Sequence, residues 1–133
     1  MSTTARAGAP AGNGGSEVIA RATLRYLKGS PQKTRLVANE IRGKRVDEAR
    51  AYLRACRRSV AADILKLLQS AVANTESSKE AAMVDADELR VHRILVDRGP
   101  MQKRIQPAPM GRAYGILKRT CHVTIELGSS GKK

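Results

Sequence analysis

The side chains of this chain that could perform chemistry are few, and most of them are cations. His92 and His122 fall in two predicted neighbouring strands and could face each other, but no third metal ligand is placed beside them. Cys56 and Cys121 fall on apolar faces, where small buried hydrophobic residues are the default. The sequence shows no carboxylate pair, no Ser/His/Asp set and no phosphate-binding glycine loop. We therefore expect no catalytic site, no metal site and no cofactor.

The cations indicate a polyanionic partner instead. The 133 residues include 25 Lys and Arg against 12 Asp and Glu, a formal net charge of +13. Residues 21–58 hold twelve Lys and Arg against three acids, and residues 90–122 hold eight against one, whereas residues 59–89 are net acidic. Two basic blocks on one side of a fold would make a phosphate-binding face. The plain alternative is a well-solvated surface that keeps the protein soluble.

The candidate phosphate contacts lie in these two blocks. Five belong to the first predicted helix or follow it, six belong to the segment around the predicted loop, and four lie on predicted strands. They are Arg21, Arg25, Lys33, Arg35, Arg42, Lys44, Arg45, Arg93, Arg98, Lys103, Arg104, Arg112, Lys118, Arg119 and His122. Tyr114 is the one aromatic residue beside the loop that could stack on a base, although it could equally pack in the core. The sequence lacks the interleaved aromatics of a single-strand-binding sheet.

Three helices are predicted to position the first basic block. Ser30 and Pro31 begin a helix that Gly43 ends near residue 42. A second helix begins near Val46, with Asp47 and Glu48 in its first turn and Arg57 and Arg58 in its last. A third, capped by Ser59, carries an apolar stripe formed by Val60, Ile64, Leu67, Leu68, Ala71 and Val72. We expect this third helix to be central and buried.

Strands are predicted to position the second basic block. Residues 18–27 form an extended segment, and residues 116–127 alternate apolar and polar side chains with an antiparallel partner at 88–98. The intervening segment GPMQKRIQPAPMGRA has basic charges only. If pairing continues into it, a hairpin over residues 90–124 would reach about 50 Å at ~3.3 Å per residue. An isolated ribbon of that kind is marginal in water, which favours RNA around it.

The chain is predicted to be a single domain. Residues 1–16 form a disordered tail rich in Gly, Ala, Ser, Thr and Pro, residues 17–127 form the domain with an extended hairpin at about 89–126, and residues 128–133 form a short flexible tail. No apolar run approaches the roughly 20 residues of a membrane span, and no apolar signal segment is visible. Two solitary cysteines suit a reducing compartment.

Three segments carry a family resemblance. SPQKTRLVANEIRGKRVDEA, LKLLQSAVANTE and DRGPMQKRIQPAPMGRAYGILKRTCHVTIEL closely resemble, in the family's order, the large-subunit ribosomal protein family L twenty-two of bacterial type. The resemblance covers about residues 20–127. It implies an α+β fold in which three helices pack on a small antiparallel three-stranded sheet with a long protruding β-hairpin. It also implies a structural protein without enzymatic activity.

The resemblance further implies the partners. They are several domains of large-subunit rRNA, neighbouring large-subunit proteins and the nascent polypeptide, with the chain on the cytoplasmic ribosome and no membrane contact. The protein would support subunit assembly. Its hairpin tip would line the nascent-peptide exit tunnel, near the site of macrolide binding, with Met101, Gln102, Ile105, Gln106, Pro107, Ala108, Pro109, Met110 and Gly111.

The tip departs from the family's pattern. Where the family usually reads Pro-Arg-Ala-Lys-Gly-Arg-Ala, this chain has Ala108 and Met110 in place of the Arg and the Lys. We therefore expect a tip with two fewer positive charges and a loop stiffened by Pro109.

Two rival functions are weaker. A helix-turn-helix DNA-binding module would need a basic recognition helix, and the third helix has an apolar stripe with acidic-to-neutral residues. A small RNA-directed enzyme or chaperone would need an acid/base cluster, and the loop offers only Lys, Arg and Gln.

Overall fold

The computed structural model describes residues 18–78 and 88–129. The tail predicted for residues 1–16 and residues 130–133 of the second predicted tail lie outside the described residues. The order of elements is β1 (Val18–Lys28), α1 (Pro31–Ile41), α2 (Val46–Ala55), α3 (Ser59–Ser77), β2 (Leu89–Arg98), β3 (Gln102–Ala108), a 3-10 turn (Pro109–Gly111), β4 (Arg112–Lys118) and β5 (Thr120–Ser129). The predicted α+β class, with three helices and a three-stranded antiparallel sheet, is confirmed.

The core lies between the helices and one face of the sheet. The strand order is β1-β5-β2, so that β5 is central and antiparallel to both neighbours. Its alternating side chains are fully buried, as predicted: Cys121, Val123, Ile125 and Leu127. Helix α3 packs on β1 and β5, while α1 packs on β2. The alternation therefore directs the apolar side chains of β5 toward the helices and its polar side chains toward the opposite face of the sheet.

Helix α1 begins and ends where the sequence predicts. Ser30 occupies the N-cap position, yet its side chain makes no capping bond; its carbonyl accepts hydrogen bonds from the Thr34 backbone N–H (3.1 Å) and Oγ1 (3.0 Å). Gly43, directly after the C-cap residue, has φ +77°, a conformation that glycine adopts at low cost. Its N–H donates to the Val91 carbonyl at 2.9 Å, which ties the end of α1 to β2.

Helices α2 and α3 differ from the prediction at their junction. Helix α2 ends at Ala55, so Arg57 and Arg58 lie beyond it and Arg54 is the basic residue of its last turn. Arg58, not Ser59, holds the N-cap position of α3, and it makes no side-chain capping bond. The predicted apolar stripe of α3 is confirmed, with Ile64, Leu67, Leu68, Ala71 and Val72 buried and Val60 half-buried. No helix within the two described ranges combines the length and the apolar character of a membrane span.

The second basic block forms a separate two-stranded sheet. Strands β3 and β4 pair only with each other, from Gln102 opposite Lys118 to Ala108 opposite Arg112; we call residues 102–118 the ribbon. The single continuous strand pair predicted over 90–124 is thus divided into two sheets. The division falls at residues 99–101, where Pro100 has no backbone N–H to donate. The Gly99 N–H still donates to the Thr120 carbonyl at 2.9 Å.

Candidate nucleic-acid interface

The predicted phosphate contacts are accessible. Twelve of the fifteen side chains are exposed, and the other three, Lys44, Arg93 and His122, are half-buried. None of the fifteen forms a salt bridge with an acidic side chain of the described residues; the Arg50–Asp47 pair on α2 lies outside the set. The lysines and arginines of this set are therefore not neutralised by an ion pair within the described residues.

The ribbon concentrates cations on an exposed scaffold. Strands β3 and β4 carry Lys103, Arg104, Arg112 and Lys118, and no acidic residue occurs between Arg98 and Arg119. Most of the large apolar side chains of the ribbon are also exposed, with Ile105 at 74%, Tyr114 at 59% and Leu117 at 45%, whereas Ile116 is half-buried. A two-stranded ribbon without a covered apolar face lacks the burial that stabilises larger sheets.

Two arginines line a cleft where the ribbon joins the body. Arg98 ends β2 and Arg119 separates β4 from β5, and both line a cleft of about 270 Å³ together with the first residues of α1. The Arg119 Nη1 donates to the Met101 Sδ at 3.3 Å, which fixes its direction. The Gly29 N–H donates to the Arg119 carbonyl at 3.2 Å and connects the cleft to the end of β1.

Arg35 and Arg42 have partners inside the protein. The Nε and Nη2 of Arg35 donate to the Val96 carbonyl (3.3 and 3.0 Å), and the Nη2 of Arg42 donates to the Ile94 carbonyl (3.1 Å). These carbonyls point outward from β2, an edge strand whose polar groups need partners. The two guanidinium groups thus protect the sheet edge and keep only their remaining N–H donors for phosphate.

Arg21 and Arg93 lie on the sheet face opposite the helices. Each is the register partner of Glu126 on the central strand, one from β1 and one from β2. Opposite charges in directly opposed positions attract each other, so Glu126 offsets part of the charge of this row. The ribbon is therefore the more strongly positive surface.

Lys44 lies over an aromatic ring. Its Nζ is 5.1 Å from the centroid of Tyr52, a cation–π distance. Partial burial, with a smaller contribution from the Cys56 thiol, raises the pKa of the Tyr52 phenol above its usual value. A phenol is neutral at physiological pH in any case, and the raised pKa extends that neutral range upward.

His122 serves the sheet and does not face His92. Its register partner on β2 is Asp97, and its Nδ1 accepts the backbone N–H of Tyr26 at 3.0 Å. The expectation that the two histidines oppose each other is wrong, because the register of β2 places His92 in the bulge between Val91 and Arg93, beside Glu126 and Leu127 and at the other end of the strand from Asp97. Among residues 18–78 and 88–129, no three His, Cys, Asp or Glu side chains gather as metal ligands.

The predicted tip residues divide between the two ends of the ribbon. Met101 and Gln102 lie at its base, where Gln102 opposes Lys118. The other seven run from Ile105 to the turn, where Met110 is 95% exposed and, like Gly111 after it, has a left-handed backbone (φ +62° and +67°). The outer end of the ribbon is therefore a tight turn that displays an apolar side chain.

Tyr26 and Lys28, at the end of β1, are absent from the residues that the sequence predicts for the site. Tyr26 is 63% exposed and lies in a bulge of β1 between Leu24 and Leu27, with φ +57°. The signal was present in the chain: the apolar alternation of β1 breaks when Tyr26 and Leu27 follow each other directly. An extra residue in a strand re-aims a side chain, and this one turns the ring out of the sheet.

Comparison with known proteins gives consistent matches. The family model described as ribosomal protein L22p/L17e matches residues 22–128. A Chlorobaculum tepidum protein named Large ribosomal subunit protein uL22 is 48% identical over 106 residues, 80% of this chain and 89% of the relative. Proteins with the same name are 43% identical in Anaeromyxobacter sp. strain K (84% of this chain, 75% of the relative) and 44% identical in Chlorobium phaeobacteroides (80% and 91%).

Proposed function

The chain belongs to the ribosomal protein L22p/L17e family, and from this membership we propose that it is a structural component of the large ribosomal subunit that binds large-subunit rRNA and supports subunit assembly. Proteins of this family are structural, not enzymes. Its similar relatives are named as large-subunit proteins of bacteria, which supports a place on the bacterial cytoplasmic ribosome and contact with rRNA and neighbouring ribosomal proteins.

The observation that carries rRNA binding is the exposed, acid-free ribbon. Its four cations form no salt bridge within the described residues, and its apolar side chains are exposed on a sheet of two strands. Such a segment gains little from its own packing and gains much when phosphates and bases surround it. We propose that the ribbon inserts between rRNA helices, where its cations neutralise phosphate charge.

The body contributes a second, weaker surface. Lys33 and Arg45 are exposed and make no side-chain hydrogen bond or ion pair within the described ranges, so they are the free cations near α1. The basic residues of the body and of the ribbon base would hold rRNA where the ribbon enters it. The mechanism is counter-charge and shape, without sequence-specific reading of base edges.

The outer end of the ribbon is proposed to line the nascent-peptide exit tunnel. The residues offered for this role are those from Ile105 to Gly111, because Met101 and Gln102 lie at the base. Ala108 and Met110 carry no charge, and the exposed Met110 would present an apolar surface to the passing polypeptide.

Salt dependence tests rRNA binding. We expect the full chain to bind in-vitro-transcribed large-subunit rRNA with a logarithmic affinity that falls steeply with the logarithm of salt concentration. Replacing both Lys103 and Arg104 by Ala should reduce that slope by up to about 0.9 for each duplex phosphate that the variant no longer neutralises. Lys66→Ala, on the exposed side of α3 in the acidic block, is the matched control and should leave the slope unchanged. A flat salt response of the parent protein would contradict the proposal.

A further inference from the structure

A cavity of about 770 Å³ lies between the body and the base of the ribbon. On the side of the body it is lined by the end of β1 and the two residues before α1. On the side of the ribbon it is lined by Pro100, Gln102 and residues 117–120, which run from the end of β4 to the start of β5. Its size is in the range of small-molecule sites in proteins. We call it the ribbon-base cavity.

The lining combines a ring, aliphatic surface and positive charge. Tyr26 and Leu117 supply exposed apolar surface, while Lys28, Lys118 and Arg119 supply three cations, and no acidic side chain of the described residues lines the cavity. The amide of Gln102, also in the lining, is both a donor and an acceptor. This is the composition that a nucleotide requires: a flat surface for its base, hydrogen-bonding groups for the base edge and cations for its phosphate.

The backbone holds Tyr26 in this position at a conformational cost. A left-handed φ of +57° is unfavourable for a bulky side chain and occurs where the surrounding structure imposes it. The bulge of β1 imposes it here and His122 stabilises it, since its Nδ1 accepts the Tyr26 N–H at 3.0 Å and the two rings meet edge to face with centroids 5.0 Å apart. The phenol ring is thus fixed before any ligand arrives, which lowers the entropy lost on binding.

We propose that the ribbon-base cavity binds one unpaired nucleotide of large-subunit rRNA, whose base stacks on Tyr26 and whose phosphate is held by Lys28 together with Lys118 and Arg119. The inference rests on the proposed rRNA binding and assigns to it a specific subsite. Three cations without a counter-charge favour a nucleotide over an apolar peptide or an uncharged small molecule, because only the nucleotide brings the anion. A stacked base also explains why so much of an aromatic ring remains exposed in the free protein.

The test compares Tyr26 variants of the full chain for binding to in-vitro-transcribed large-subunit rRNA. Tyr26→Gly removes the ring and relieves the left-handed strain, so the variant should unfold at the same temperature as the parent or higher. We expect its rRNA affinity to fall about five- to one-hundredfold, the range typical for removal of one base–aromatic stack. Tyr26→Phe keeps the ring and should bind like the parent.

Salt titration separates stacking from charge. Tyr26→Gly should lower the affinity without changing the salt slope, because the variant keeps every charge, whereas Lys28→Ala should reduce the slope by about one. A Tyr26→Gly protein that is folded and binds with the parent's affinity would overturn the cavity proposal while leaving rRNA binding intact. A parent protein that does not bind the rRNA would overturn the proposed function and the cavity proposal together.

Discussion

Gly99 and Thr120 meet at the point where the chain leaves the three-stranded sheet for the ribbon. The Gly99 N–H donates to the Thr120 carbonyl, and the Thr120 Oγ1 donates to the Pro100 carbonyl at 2.6 Å. A Cβ atom at position 99 would collide with the Thr120 side chain and lie 3.2 Å from its backbone carbonyl carbon. This glycine is therefore needed for a close approach between two strands, not for an unusual φ.

Gly99→Ala should lower the free energy of unfolding by about 1–3 kcal/mol, because the added methyl group forces the two strands apart. Gly115 on β4 provides the matched control, since a Cβ there meets nothing within 4 Å. Gly115→Ala should be neutral or slightly stabilising. Urea unfolding followed by circular dichroism measures both variants, and equal losses of stability in the two would contradict the account.

At the scale of elements, the open edge of β2 is protected by α1 and the residues that follow it. The carbonyls of Ile94 and Val96 are occupied by Arg42 and Arg35, and the N–H of Val91 donates to the Lys44 carbonyl at 3.0 Å. An unpaired edge of that length would invite pairing with other chains. Arg35 and Arg42, which the sequence predicts as phosphate contacts, thus also satisfy backbone carbonyls at the sheet edge.

Replacing both Arg35 and Arg42 by Met should destabilise the protein by about 1–2 kcal/mol, since charged hydrogen bonds to part-buried carbonyls are removed. Lys33→Met on the same helix is the matched control; its side chain has no partner in the described residues, and its replacement should cost less than about 0.5 kcal/mol. Thermal unfolding of the purified chains measures the difference. If the double variant were as stable as the control, the guanidinium groups would not be capping the sheet edge.

The elements themselves were largely predictable, because their signals are local. The alternation of β5 and the apolar stripe of α3 predict which face of each element is buried, and both predictions are confirmed. The Pro31 start and the Gly43 end of α1 follow from backbone preferences of single residues. The prediction was wrong at the junction of α2 and α3, where Arg57 and Arg58 lie beyond α2 and Arg58 replaces Ser59 as the N-cap residue of α3. Several adjacent residues can end or begin a helix there, so the local sequence does not fix the exact boundary.

The site was predictable in its charge but not in its geometry. The two basic blocks can be read directly from the sequence, but the sequence could not show that Arg35 and Arg42 reach across to a strand more than fifty residues away. It also missed Tyr26, whose exposure depends on a bulge set by the pairing of β1 with β5. Long-range pairing determines both features, and the local break in the alternation of β1 at Tyr26 and Leu27 does not by itself give the direction of the ring.

At the scale of the whole molecule, the chain combines a part with a buried core and a ribbon that exposes most of its large side chains. The body buries a core made of Leu, Ile, Val and Ala between three helices and a sheet, whereas the ribbon exposes its apolar and basic side chains alike. The net charge of +13 repels a second copy and attracts a polyanion. Such a division suits a body that folds alone and a ribbon that is completed by its surroundings.

The measurement that tests this account most directly is sucrose-gradient sedimentation of a native lysate from the source bacterium, with the chain followed through low-salt and high-salt washes. The account predicts that the chain sediments with large ribosomal subunits and stays there in high salt, because the inserted ribbon must leave the rRNA before the protein can dissociate. Release at moderate salt, or a peak at the top of the gradient, would contradict an integral rRNA-bound role.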